Sequence, residues 1–254
     1  MKTYGLTGQS LLHSFSKDFF NKKFLSENIS ARYLNFEIEN IKYLRELFIK
    51  NPISGLNVTI PYKEKIIPYL DSLDNISKSV GAVNTILPNY KNEKLISLKG
   101  FNTDVYGFHQ MIKPHLTTNH SKALILGTGG ASKAVVYVLK SYNIDVNYIS
   151  RKERPNELNY FTWKDINNHM IESHHLIINT TPIGMYPNNS EKIIFPYEFI
   201  NSNHLIIDLI YNPSKTFFLL KCEEKNAQIL NGYQMLVHQA LKSWNIWNSS
   251  INIE

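Results

Sequence analysis

Residues 123–134 read ALILGTGGASKA: an apolar run, three glycines in four positions (Gly127, Gly129 and Gly130), then a helix-forming stretch. A glycine turn that leaves a strand and opens a helix lets backbone N–H groups approach a pyrophosphate, and the positive end of the helix favours the anion. The pattern departs from G-x-G-x-x-G because Ser132 stands at the third glycine position. A small residue there still allows helix and strand to pack closely. Glycine turns also form for purely conformational reasons, so the end of the following strand carries the discrimination. An NAD-selective fold places Asp or Glu about 20 residues on, where it holds the ribose hydroxyls. This chain instead reads YISRKERP, with Ser150, Arg151, Lys152 and Arg154. Cations stand where the 2′-phosphate of NADP would sit. In isolation the stretch reads as an ordinary solvated basic turn; at this distance from the glycine turn it favours NADP.

The elements that must hold this turn follow from the rhythm of the chain. TYGLTG reads as a strand ending in a glycine turn, and SKDFFNKKFLSENI as a helix beginning near Lys17, with Phe19, Phe20 and Phe24 at near-helical spacing. RYLNFEIE alternates as a strand, IKYLRELFIKN is helical and GLNVTIPY is again a strand, an alternation that predicts an α/β layer with parallel strands. After the strand pair GAVNTIL and LISLKGFN, DVYGFHQMIKPHL is expected to be helical. A second alternation then runs through ALILG, a helix from Ser132, IDVNYIS, HLIINTT, LIIDLIY, a helix from Ser214 and the short strand AQIL. The final QMLVHQALKSWNIW is amphipathic, and its stripe of Met235, Leu236, Leu241, Trp244 and Trp247 is expected to pack back on the first domain. Two α/β domains result, residues 1–103 with 232–254 and residues 104–231.

Composition agrees with a globular chain of two domains: 254 residues, 43% of them hydrophobic. No apolar run of about 18 residues occurs, and MKTYGLTGQS lacks the apolar stretch of a signal peptide, so a cytoplasmic protein without a membrane span is expected. The net charge of +6 comes from scattered lysines, with 19% charged residues, which suits small anionic substrates better than nucleic acid. A single Cys222 excludes an internal disulfide and a cysteine metal cluster and reads as a buried thiol. There is no H-E-x-x-H, and adjacent His174 and His175 on a strand would point apart, so no metal is expected. His13 beside Ser14 lacks the G-x-S-x-G elbow of a hydrolase.

Six stretches are specific in combination: GQSLLHSFSK, NVTIPYK, GAVNT, GFNTD, DLIYNP and NGYQMLVHQAL. In that order, over nearly the whole chain, they resemble shikimate dehydrogenase. The family's G-x-P-x-x-H-S-x-S-P signature is matched by Gly8, His13, Ser14 and Ser16, with Ser10 and Lys17 replacing its prolines. The resemblance implies an N-terminal α/β substrate and catalytic domain completed by the C-terminal helix, plus a Rossmann-type NADP-binding domain. It implies reversible NADPH-dependent reduction of 3-dehydroshikimate to shikimate in aromatic amino acid (chorismate) biosynthesis, with quinate/shikimate dehydrogenation by NAD and a silent NADP/shikimate sensor as the alternatives. A monomer or homodimer acting on a small molecule, without nucleic acid or membrane, is expected.

By the same resemblance Ser14 and Ser16 bond the shikimate carboxylate, which Tyr211 also reaches. Asn57, Thr59, Lys63, Asn84, Asp104 and Gln239 surround the ring hydroxyls. The turn Gly127, Thr128, Gly129, Gly130 and Ala131 is similar to the family's G-A-G-G-A, and Ser150, Arg151 and Lys152 stand for its N-R-T phosphate clamp; Arg154, Thr181 and Gly232 complete the implied cofactor contacts. Two serines on one tight turn are suited to an anion. Lys63 and Asp104 are the titratable pair that hydride transfer at a carbinol carbon needs for its proton. Of the two, Lys63 is expected to carry it, because an ammonium can donate to a developing alkoxide. Each residue has a plainer reading: Ser14 and Ser16 as a helix cap, Asp104 as another, Lys63 on the surface, Asn84 and Asn102 in turns, and His238 or Gln239 facing solvent.

Overall fold

The computed structural model describes residues 1–9, 11, 14–154 and 156–249. His13 and Ser10 of the N-terminal signature lie outside the described residues. The chain divides into two compact units, residues 1–103 with 239–254, and residues 104–238.

In the first unit the elements run β1 (Lys2–Gly8), α1 (Phe15–Ser26), β2 (Ala31–Glu37), α2 (Leu44–Lys50), β3 (Ile53–Val58), α3 (Tyr62–Lys65), β4 (Ser72–Leu73), α4 (Asn75–Val80), β5 (Thr85–Lys91) and β6 (Lys94–Phe101). They form one sheet in the order β2-β1-β3-β5-β6-β4. The expected parallel layer is formed by β1, β2 and β3; β4 also pairs β6 parallel, while β3 pairs β5 antiparallel and β5 pairs β6 antiparallel. The cause is local. Lys91 pairs with Lys94 across a two-residue turn in which Asn92 and Glu93 take φ values of 49° and 63°, the hairpin geometry that matches strand twist. So short a turn leaves no room for a crossover, and the two strands must run oppositely. Helix α1 starts at Phe15, two residues before the expected Lys17, because Ser14 caps it.

The second unit contains α5 (Asp104–Ile112), β7 (Lys122–Leu126), α6 (Gly130–Ser141), β8 (Asp145–Ser150), β9 (Tyr160–Thr162), α7 (Asn168–Ser173), β10 (Leu176–Asn179), β11 (Leu205–Asp208), α8 (Phe217–Glu223), β12 (Gln228–Asn231) and the first turns of α9 (Tyr233–Asn248). Its sheet is β12-β11-β10-β7-β8-β9, every pair parallel. That is the doubly wound Rossmann-type order, with its switch point between β7 and β10 at the carboxyl edge where such sheets bind ligands. β10 and β11 are buried throughout, as continuous apolar runs of a covered parallel sheet must be.

Four expected boundaries move. α6 begins at Gly130, with Gly129 as its N-cap, instead of at Ser132. α8 begins at Phe217 instead of Ser214, because Thr216 supplies the cap by accepting from Leu219 N. α5 stops at Ile112 and tightens into a 3₁₀ turn over Lys113–His115, since Pro114 cannot donate into a continuing helix. His174 is the C-cap of α7 and His175 only precedes β10, so neither lies on a strand.

The C-terminal half of α9 closes the first unit. Trp247 lies flat on Gly55 of β3, where an added Cβ would fall within 2.5 Å of the indole. Its Nε1 donates to Ile86 O at 3.0 Å, and the ring stacks on Tyr4 at 5.1 Å. Phe20 and Phe24 complete this aromatic layer, with Phe20 stacked on Tyr33 at 4.8 Å. Truncating such a buried tryptophan costs about 3–5 kcal/mol.

Candidate active site

In the first unit the polar residues gather at the ends of β3 and β6 and on α9. Asn57, the penultimate residue of β3, is buried. Its Oδ1 accepts from Tyr33 Oη at 2.8 Å, and its Nδ2 donates to Asn84 O, Thr85 Oγ1 and Ser243 Oγ at 3.0–3.1 Å. Asn84 is held from the other side. Its Oδ1 accepts from Thr103 N at 2.7 Å, and its Nδ2 donates to Thr103 Oγ1 at 2.9 Å and Gln239 Oε1 at 3.4 Å. Ser243 Oγ bonds Gln239 O at 3.0 Å, one turn up α9. Asn57, Asn84 and Gln239 therefore belong to one buried network, and Gln239 does not face solvent. Asn102 donates to Ala82 O at 2.9 Å. A network this fully bonded fixes every member's rotamer, because a lost partner leaves a buried group unsatisfied at about 1–3 kcal/mol.

The network reaches the N-terminal turn through Tyr33, whose hydroxyl also meets the Ser16 side chain; burial pushes this phenol well above its usual range. Ser16 is buried, while Ser14 is half-buried and accepts from Lys17 N at 3.2 Å. The plainer reading of Ser14 as a cap is thus realised, yet it excludes nothing: accepting uses a lone pair and leaves the hydroxyl hydrogen to donate. Thr59 and Lys63 follow β3. Thr59 N donates to Thr7 O at 2.9 Å, and its methyl group fills the space beside Gly8. Lys63 is half-buried, not an ordinary surface lysine, and its carbonyl accepts from Val83 N at 2.7 Å.

In the second unit Asp104 is the first residue of α5 and is 4% exposed, where the helix dipole favours a carboxylate. Gly127 leaves β7 with φ 105° and donates to Ile149 O at 2.9 Å. A Cβ there would meet Thr180 Oγ1 and Thr181 Cγ2 at 2.9 Å. Thr128, Gly130 and Ala131 are half-buried around it, and Gly129 is exposed with nothing within 4 Å of an added Cβ. Ser132, at the third glycine position, is buried and donates to Gly129 O at 2.6 Å, so its hydroxyl is absorbed by the turn. A strand, a glycine turn with an open face and the start of a twelve-residue helix fit a dinucleotide pyrophosphate on backbone donors.

Ser150 ends β8, buried, and accepts from Lys152 N at 3.2 Å, shaping the basic turn. Arg151 and Lys152 are exposed. Arg154 is already engaged, to Glu157 Oε1 at 3.1 Å and over the Tyr160 ring at 4.3 Å. Thr181 donates through N and Oγ1 to Asn179 Oδ1 at 2.9 and 2.7 Å. Gly232 sits against Leu209, whose carbonyl oxygen would be 2.0 Å from a Cβ, and Tyr211 is half-buried after β11. Among the described residues no group of three or more His, Cys, Asp or Glu could hold a metal, and no helix is long and apolar enough to cross a membrane.

Residues 6–86 match the model of the shikimate dehydrogenase substrate binding domain. The NADP(+)-dependent shikimate dehydrogenase of Clostridium beijerinckii is 37% identical over 97% of this chain and 92% of its own length. The chain belongs to the shikimate dehydrogenase family. Two solved members have the same fold. Shikimate dehydrogenase 1 of Peptoclostridium difficile gives a TM-score of 0.84 at 37% identity, covering 100% of this chain and 94% of that one. The Thermus thermophilus enzyme, solved with NADP(H) and shikimate, gives 0.82 at 25% identity, covering 98% and 94%.

Several polar residues of this shikimate dehydrogenase family member have no role assigned by the motifs, although Thr85, Thr103 and Asp208 stand within GAVNT, GFNTD and DLIYNP. Thr85, Thr103, Ser243 and Tyr33 complete the first network; Asn179, Asp208 and Thr216 build a second one under the glycine turn. The signal for the latter was present: Asn179 and Asp208 are the polar last residues of two apolar runs, the carboxyl edge of a parallel sheet.

Proposed function

We propose that this chain is an NADP-dependent shikimate dehydrogenase, catalysing the reversible reduction of 3-dehydroshikimate to shikimate in aromatic amino acid (chorismate) biosynthesis. One observation carries the reading: 37% identity to such an enzyme extends over 97% of the chain, through both units. Residues 1–103 with 232–254 bind the substrate and residues 104–231 bind NADP. The protein acts in the cytoplasm on small molecules, as a monomer or homodimer and without nucleic acid.

Ser14 and Ser16 take the substrate carboxylate by hydroxyl donation at the N-terminus of α1, where the helix dipole favours an anion; Tyr211 adds a phenolic donor. Thr59, Asn84 and Gln239 take ring hydroxyls, and Asn57 keeps Asn84 in place. NADPH, when bound, supplies the hydride, with Gly127, Thr128, Gly129, Gly130 and Ala131 at its pyrophosphate and Ser150, Arg151, Lys152 and Arg154 at its 2′-phosphate. Thr181 and Gly232 line the same site. Lys63 Nζ gives a proton to the developing alkoxide in reduction and takes it back in oxidation. Asp104 accepts from a substrate hydroxyl. Arg154 must exchange Glu157 for the phosphate, so Arg151 and Lys152 are the principal determinants. The test mixes the protein with shikimate and either NADP or NAD and follows the absorbance of the reduced nicotinamide. A kcat/KM at least about 10²-fold higher with NADP is expected from two charge-assisted bonds; equal values, or no turnover, contradict the reading.

A further inference from the structure

A buried pair lies beneath the glycine turn. Asp208, the last residue of β11, and Asn179, the last of β10, are both 0% exposed. Asp208 accepts three hydrogen bonds: from Asn179 Nδ2 at 3.0 Å and Ile210 N at 3.0 Å on Oδ1, and from Thr216 Oγ1 at 2.6 Å on Oδ2. An ionised carboxylate can only accept, so it dictates which way the Asn179 amide points. Nδ2 faces Asp208, and Oδ1 is left facing Thr181, whose N and Oγ1 both donate to it. The neighbouring Thr180 bonds Leu126 O through N at 2.9 Å and through Oγ1 at 2.8 Å. Residues 180 and 181 together press on Gly127 so closely that a Cβ has no room. A rotated Asn179 would set its NH₂ against the Thr181 N–H and push this turn out of place.

We propose that Asn179, oriented by Asp208, is a positioning residue that sets cofactor affinity by holding the Thr180–Thr181 turn against the glycine turn. This rests on the NADP-binding reading of the second unit. The carboxylate is kept at a cost, since burial pushes its pKa up to about 6 against the three hydrogen bonds that lower it. The titratable groups that feel its charge are Tyr197 and Cys222, both pushed upward by burial and so neutral.

The test is NADPH binding by fluorescence titration, with circular dichroism, on the wild type, Asn179→Leu and Asn179→Asp. Asn179→Leu loses both bonds to Thr181 and is expected to weaken NADPH binding by at least about tenfold, with KM for shikimate unchanged. Asn179→Asp keeps an acceptor for Thr181 but sets two carboxylates together, which hold one shared proton at low pH and repel when both ionise. Its NADPH Kd relative to wild type is expected near one at pH 6 and to climb above fivefold by pH 9; the ratio cancels titration of the cofactor's own phosphate. If Asn179→Leu does not fold, this pH-dependent ratio decides. A folded Asn179→Leu within twofold of wild type, or a flat ratio near one, overturns the proposal. A wild-type protein that binds no NADPH overturns the cofactor reading itself, which separates the two failures.

Discussion

Gly129→Ala separates what the cofactor needs from what the fold needs. Gly129 is the N-cap of α6 with φ −83° and ψ −176°, a conformation open to any residue. Nothing lies within 4 Å of the Cβ it would acquire. Gly→Ala at such a site gains about 0.4–1 kcal/mol by restricting the unfolded chain. The poorer N-cap offsets that by a similar amount, so stability should stay within about 1 kcal/mol, or roughly 4 °C in Tm for a chain of this size. The open face is where backbone donors meet the pyrophosphate. Displacing two charge-assisted bonds there costs at least about 3 kcal/mol, or roughly 10²-fold in Kd. Gly127→Ala is the contrast. With φ 105° and a Cβ contact of 2.9 Å to Thr180 Oγ1, it should unfold the second unit at lower temperature. The assay pairs a thermal melt with NADPH fluorescence titration. A Gly129→Ala protein with wild-type Tm and a Kd within threefold of wild type would refute the placement of the pyrophosphate at this turn.

Three further perturbations have definite outcomes. Ser14→Ala/Ser16→Ala should weaken shikimate binding by about 2–3 kcal/mol without moving NADPH affinity, and lower stability by about 1 kcal/mol through the lost cap of α1; isothermal titration showing only the stability loss would leave the serines as structural. Lys63→Ala should cut kcat by about 10²–10⁴ with a smaller change in KM, whereas Asp104→Ala should act chiefly on KM; steady-state kinetics in which Lys63→Ala stays within tenfold of wild type transfers the proton to Asp104. The third concerns pH. His120, His174 and His204 each accept an N–H bond on one ring nitrogen, from Thr117 N, Asn147 Nδ2 and Asn201 N, and burial lowers the pKa of each. The three histidines therefore bind fewer protons folded than unfolded below the ordinary histidine pKa of about 6.5, and stability falls as pH drops through it, by up to about 1.4 kcal/mol per pH unit for each histidine; Asp208, its pKa raised to about 6, takes up a proton in the folded state and offsets one of the three, so a net fall remains. Urea unfolding between pH 7 and 5 measures the slope, and a flat profile contradicts it.

Most of the second unit was legible because it obeys local rules: buried parallel strands are continuous apolar runs, and each is punctuated by a glycine or a cap. The first sheet was half legible. Nothing in GAVNTIL or LISLKGFN marks direction; the turn at Asn92 and Glu93, with no glycine to announce its positive φ, makes the hairpin. Short elements such as β4, β9 and α3 carry too few residues for a period to show. In the site, Ser14, Lys63, Asp104 and the glycines were named from motifs. Thr85, Thr103 and Ser243 were not, because they are brought together across long sequence separations, as in the Thr85–Ser243 contact at 2.8 Å. Asp208 opens DLIYNP, but its role shows only in the fold because its partners, Asn179 and Thr216, lie on separate segments.

Hydride transfer itself is read by an isotope. Shikimate carrying deuterium on the carbon that bears the oxidised hydroxyl is incubated with NADP and the protein, and the reduced nicotinamide is analysed by mass spectrometry. A single deuterium on the reduced cofactor, with formation of 3-dehydroshikimate, is predicted, together with its loss in a Lys63→Ala protein assayed over the same time. Unlabelled cofactor, or shikimate recovered unchanged from a protein shown to bind NADPH, would contradict the account.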